Sequence, residues 1–237
     1  DLKINCQFIR MDGKTPPGLY SIETDRNGNR DFSYWRNNSP AKKMFLGSKG
    51  KQLIRDLSYA DILYYSGISV AILNDIQKES LIKIGGTANI SAFDFNYRHL
   101  LHTQKKEIQT LFKYIHKNIK INFISYDDAI EIFSVSNPYE IFEILNSEHN
   151  LILIRYKNKI LYKNKNEDIK VVEVPYGDAL DTTAAGDSFN GAFLALMNGK
   201  NRLTIDEKIL QSHSITREVI KHKGAIIPIS LMPKNYN

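Results

Sequence analysis

Apolar and polar positions alternate in twos over Gly18–Glu23 and again over Asn29–Arg36, with Asp25-Arg26-Asn27-Gly28 between them. A period of two marks strands, because successive side chains point to opposite faces. Asn-Gly between two such runs predicts a hairpin. Tyr20 and Ile22 share one face of the first strand, and Phe32, Tyr34 and Arg36 share one face of the second. A three-residue loop sets Tyr20 opposite Tyr34, and a two-residue loop sets it opposite Trp35.

Beyond the hairpin the pattern changes to strand and helix in alternation. Strands are expected at Asp61–Ser66, Asn89–Asn96, Ile121–Ser125, Leu151–Arg155, Lys159–Lys163, Ile169–Val174 and, last and shortest, Ala225–Ile227. Helical spacing covers Val70–Ile84, Thr103–Asn118, Asp127–Phe133, Pro138–Leu145, Gly186–Met197 and Thr204–Lys221. Such alternation predicts an α/β fold with a mostly parallel sheet and helices on both faces. Ligands of these sheets sit beyond the carboxyl ends of the strands. Here those ends hold Ser66-Gly67, Asn96-Tyr97-Arg98 and Ser125 to Asp128.

Composition adds limits. The chain has 237 residues, 42% hydrophobic and 24% charged, which is ordinary for a globular domain. The single cysteine, Cys6, rules out an intrachain disulfide and suits a reducing, cytoplasmic setting. No apolar run approaches the about 18 residues of a membrane span, so no membrane partner is expected. The net charge of +6 comes from scattered lysines, without arginines and aromatics interleaved along a groove. No nucleic-acid partner is therefore expected either.

The chemistry concentrates in Asp181-Thr182-Thr183-Ala184-Ala185-Gly186-Asp187-Ser188-Phe189-Asn190-Gly191, which opens an apolar helix. Small residues before a helix let a ligand approach the backbone, where first-turn amides and the helix dipole favour an anion. Such a helix start is an anion hole suited to phosphate. Asp187 stands beside it, where negative charge is stabilised. A carboxylate there is placed to accept a proton from an attacking hydroxyl while the amides stabilise a transferring phosphoryl group. The simpler role for an isolated aspartate at this place is a helix cap. The sequence has no Gly-x-x-x-x-Gly-Lys-Ser/Thr segment.

The whole segment resembles the second signature of the PfkB, or ribokinase-like, sugar kinases, Asp-Thr-x-Gly-Ala-Gly-Asp-x-Phe, with Ala184 at a glycine position. Further stretches resemble the 2-keto-3-deoxygluconate kinases of that family. These are Thr15 to Asp25, Phe32-Ser33-Tyr34-Trp35-Arg36, Tyr64 to Ser69, Phe93-Asp94-Phe95-Asn96-Tyr97-Arg98 and Gly224-Ala225-Ile226-Ile227-Pro228. They occur in the family's order and run from about Thr15 to Pro233. The resemblance implies a ribokinase-like three-layer sandwich, with 1–40 part of a small β lid and 41–237 the kinase core. It implies Asp187 as catalytic base, Ala184, Ala185 and Gly186 as the anion hole, and Tyr20, Tyr34, Arg36 and Arg98 as contacts of the sugar acid. It implies ATP bound with help from Ser125, Arg155 and Gly186. Mg²⁺ is expected at Asp128 through water, and a monovalent cation such as K⁺ at Asp181. Arginine suits this substrate independently, since its planar fork pairs with a carboxylate in two parallel hydrogen bonds.

Several features depart from the family pattern. No opening strand and Gly-Gly-x-x-x-Asn motif precede the lid, so a part of a longer polypeptide is expected, with a truncated, inactive form as the alternative. The Asn-x-x-Glu element that organises magnesium is replaced by Ser125-Tyr126-Asp127-Asp128, with Asp127 or Glu131 as substitutes for Asp128. A Lys-Arg-Gly on the nucleotide side appears as Ile154-Arg155-Tyr156. Trp35 points away from Tyr34 and Arg36, towards lid packing or a second subunit, and a homo-oligomer through the lid is expected. The alternatives to a sugar-acid kinase are a fructokinase- or ribokinase-like enzyme and a non-catalytic sugar-binding homologue.

Overall fold

The computed structural model describes residues 4–24, 30–102, 104–146 and 149–233, with no account of the side chains of 24 and 30–32. Strands β1 (Leu19–Thr24) and β2 (Arg30–Trp35) form a separate antiparallel pair. Tyr20 faces Tyr34 in its register, and the turn between the strands lies outside the described residues.

The second sheet has six strands in sequence order: β3 (Ile62–Ser66), β4 (Ile90–Asp94), β5 (Ile121–Ser125), β6 (Leu151–Tyr156), β7 (Lys159–Asn164) and β8 (Lys170–Glu173). The first four are parallel to one another, and β6–β7 and β7–β8 pair antiparallel. Crossover helices can return only over the faces of a parallel sheet, so both faces are covered and strand interiors become apolar throughout. In β6, Ile152 and Ile154 point to one core while Leu151 and Leu153 point to the other.

Six helices lie over the first core: α1 (Gly47–Leu57), α2 (Gly67–Ala71), α3 (Asp75–Thr87), α4 (Lys105–Asn118), α5 (Tyr126–Phe133) and α6 (Glu140–Leu145). Over the second lie α7 (Ala185–Asn198) and α8 (Ile205–Val219), with Phe189, Phe193 and Ile209 buried. The result is the expected three-layer sandwich. Among the described residues no helix is long and apolar enough to cross a membrane.

Two expectations from the pattern need correction, and one helix was not expected. Val70–Ile84 is two helices, because Asn74 turns extended and its side chain accepts the Gln77 amide to start α3. That polar cap competes successfully with helical continuation. Helix α1 was not expected, since its Gly-Ser-Lys-Gly start is a poor helix sequence. It forms through packing: a Cβ on Gly50 would meet the Phe45 backbone at 2.1 Å, so only glycine fits this approach. Ala225–Ile227 is not a strand. The Gly224 amide just before it donates to Asp181 Oδ2 at 2.9 Å, and a 3-10 turn follows at Ile229–Leu231.

His116 on α4 is 1% exposed, near buried Asn122 and Asn150 at the end of the sheet opposite the site described below. Burial holds its imidazole below the ordinary histidine range. The unfolded chain therefore takes up a proton first as pH falls, and stability drops below about pH 6.5 with a slope of at most about 1.4 kcal/mol per pH unit. Above that pH both states are neutral and the contribution is flat. Urea unfolding from pH 5 to 8 checks this: the stability difference between wild type and His116→Gln is expected to vary below about pH 6.5 and stay constant above it. A difference constant over the whole range contradicts the assignment.

Candidate active site

The carboxyl ends of β3 to β6 and the first turn of α7 converge. Ala184 caps α7 in the left-handed region at φ 61°, ψ 16°, a conformation glycine takes at no steric cost. Ala185 donates its amide to the Thr182 carbonyl at 3.2 Å. Gly186 and Asp187 follow in the first turn, whose amides have no intrahelical carbonyl to reach. Asp187 is exposed there.

Behind this turn lies a polar network that sequence reasoning missed. Asp94, at the end of β4, is 2% exposed. Its Oδ2 accepts a hydrogen bond from Asn190 Nδ2 at 2.7 Å, and its Oδ1 accepts one from the Asn96 amide at 3.1 Å. Arg155 Nη1 donates to Asn190 Oδ1 at 2.9 Å, and its Nη2 lies 3.8 Å from Asp94 Oδ2. Tyr64 Oη accepts from Asn190 Nδ2 at 3.2 Å. A Cβ added to Gly186 would touch the Arg155 guanidinium at 3.4 Å, so the guanidinium lies directly against the start of α7. Burial pushes the Asp94 carboxyl up, opposed by Arg155, Asn190 and the Asn96 amide. A carboxylate closing the apolar run of β4 was the signal available in the sequence. Its partner Asn190 lies 96 residues away.

Asp128 sits in the first turn of α5, and its amide is capped by Ser125 Oγ at 3.0 Å. The Ser125 side chain therefore serves the helix. Burial pushes the Asp128 carboxyl up to about 6; Asp94 adds to the rise, while Ser125, Arg155 and Arg98 oppose it. A carboxylate so incompletely compensated, beside a second carboxylate, is a hard-oxygen donor suited to a divalent cation. Asp181 acts as a clamp: Oδ1 accepts the Thr183 amide at 2.8 Å and Oδ2 the Gly224 amide, tying the loop before α7 to the segment after α8.

Tyr20, Tyr34 and Arg36 form a second group at the antiparallel pair β1–β2. The Tyr20 and Tyr34 rings are 6.4 Å apart, and the Arg36 guanidinium lies 4.1 Å from the Tyr34 ring centroid. A Cβ on Gly18 would come within 2.7 Å of Arg36 Cβ, so glycine makes room for this arginine. Arg36 lines a cavity of about 880 Å³ together with Leu100 and Leu101, which lie just beyond His99 in the chain. Arg98 is exposed and donates to the Tyr97 carbonyl at 2.7 Å. Trp35 is 64% exposed beside Leu19, its cross-strand partner.

The profile described as pfkB family carbohydrate kinase matches residues 1–230. The chain belongs to the pfkB family of carbohydrate kinases. The 2-dehydro-3-deoxygluconokinase of Escherichia coli K12 is 33% identical to this kinase over 239 residues, covering 94% of this chain and 74% of the relative. The enzyme of the same name from Dickeya dadantii is 30% identical over 237 residues, with the same coverage. Among solved structures, the fructokinase of Vibrio cholerae O395, bound to fructose, ADP and calcium, superposes with a TM-score of 0.73 at 18% identity. That match covers 94% of this chain and 73% of that one. At such identity the match speaks for the ribokinase-like fold of this kinase.

Proposed function

We propose that this kinase transfers the γ-phosphoryl group of ATP to 2-keto-3-deoxygluconate. The observation that carries the reading is the exposed Asp187 carboxylate on the amide-rich start of α7, which suits phosphoryl transfer; Arg36 in a cavity wall and the exposed Arg98 are the groups that suit a substrate carboxylate. The relatives named for this substrate support it.

In this reading the hydroxyl farthest from the carboxylate gives its proton to Asp187. Its oxygen bonds to the γ-phosphorus as the bond to the β–γ bridging oxygen breaks, and ADP leaves. The first-turn amides of Gly186 and Asp187 and the Arg155 guanidinium take up charge on the transferring group. Arg36 and Arg98 hold the carboxylate, with Tyr20 and Tyr34 shaping the wall beside it, and so fix which hydroxyl reaches Asp187. Asp128 would hold magnesium, directly or through water, and Asp181 a monovalent cation such as K⁺. When bound, such ions neutralise phosphate charge. Ser125 contributes by holding α5, and with it Asp128, in place.

A coupled ADP-release assay with ATP, magnesium and the sugar acid tests the reading, with the product examined by NMR. Turnover with phosphate on the hydroxyl farthest from the carboxylate is expected. Phosphate at another position, or ADP release that ignores the sugar acid, contradicts it.

A further inference from the structure

Asp94 holds no position in the reaction as written, yet it is the most buried charge at the site. Both its oxygens act as acceptors for N–H groups, and those groups belong to different parts of the machinery. Through Oδ2 it fixes the Asn190 amide, which leaves the Asn190 carbonyl turned to Arg155 Nη1. Through Oδ1 it holds the amide of Asn96, whose backbone is left-handed at φ 31°. That turn leads directly into Arg98. Tyr64 closes the other side of the Asn190 amide.

We propose that Asp94 is the positioning residue of this site: through Asn190 it sets Arg155 against the start of α7, and through the Asn96 amide it sets the turn that carries Arg98. The proposal rests on the sugar-acid kinase reading above. One buried carboxylate thereby keeps the phosphate end and the carboxylate end of the substrate at a fixed separation. Misplacement of about 1 Å at either end is enough to cost on the order of 10²-fold in rate.

The hydrogen-bond directions supply a specific test on the full chain. Asp94→Asn cannot reproduce the network, because either orientation of the amide turns its NH₂ towards an N–H donor. The reciprocal exchange Asp94→Asn with Asn190→Asp can. The side-chain amide at position 94 then accepts from the Asn96 backbone N–H and donates to the carboxylate at position 190. That carboxylate in turn accepts from Arg155 and from the Tyr64 hydroxyl. Expected for Asp94→Asn are a kcat lower by about 10- to 100-fold and a raised KM for the sugar acid. The double exchange is expected to recover at least about tenfold of the lost kcat/KM. A merely structural role predicts less folded protein but unchanged kcat and KM per folded molecule, so the folded fraction of each variant is measured by thermal unfolding alongside the kinetics.

Amide hydrogen exchange on residues 94–99 and 183–190 is measured in the same three proteins. Faster exchange in Asp94→Asn, reversed by the double exchange, is the expected pattern. Overturning results are a double exchange no better than Asp94→Asn in kcat/KM, or an Asp94→Asn protein with wild-type kcat and KM. If the wild type phosphorylates only a neutral sugar, the substrate reading fails while the recovery is still scored with that sugar. If no sugar is turned over, hydrogen exchange alone decides, and unchanged exchange in Asp94→Asn rejects the proposal.

Discussion

Asp187→Asn is expected to lower kcat by about 10² to 10⁴-fold with the fold intact, because the attacking hydroxyl loses its proton acceptor. Asparagine keeps the size and the place in the first turn of α7 but has no basic oxygen. The side chain is exposed at that turn, so no core packing depends on it and little change in melting temperature is expected. KM for both substrates should move much less than kcat, since the lost interaction belongs to the transition state. Steady-state kinetics beside a thermal unfolding curve check the prediction. A variant with near wild-type kcat makes Asp187 a helix cap and moves the base elsewhere.

The second large effect concerns Arg36 and Arg98. Arg36→Ala and Arg98→Ala are each expected to raise KM for the sugar acid about 10- to 100-fold. A hydrogen bond to a charged group contributes about 1.5–3 kcal/mol, and about 1.4 kcal/mol is a factor of ten. Arg36→Lys should recover only part of the loss, since an ammonium lacks the planar fork. Neither alanine variant should affect turnover of a neutral sugar in the same way. If both variants keep wild-type KM for the sugar acid, these arginines do not bind its carboxylate.

Much of the architecture was legible because it follows from periods. The period-two runs around Tyr20 and Tyr34 became the antiparallel pair β1–β2, and the alternation after Asp61 became the parallel part of the sheet. The small-residue run from Ala184 to Gly186 became the start of α7, with Asp187 exposed on it. What escaped depends on contacts between distant residues. Helix α1 forms because Gly50 admits the Phe45 backbone, which no local propensity encodes. The break before α3 rests on one Asn74 side chain choosing a cap. Arg155 was expected beside the nucleotide; the structure shows it bonded to Asn190 and facing Asp94. Asp94 itself sits at the end of a run whose neighbours all read as core, so its charge gave no sign of which partners it had.

The most direct test of the account is the ratio of kcat/KM for 2-keto-3-deoxygluconate to that for fructose, measured with the wild-type protein, ATP and magnesium. Two arginines on the carboxylate predict a preference for the sugar acid of about 10² to 10⁴-fold. A ratio near one, or in favour of fructose, would contradict the assignment of Arg36 and Arg98 and with it the proposed substrate.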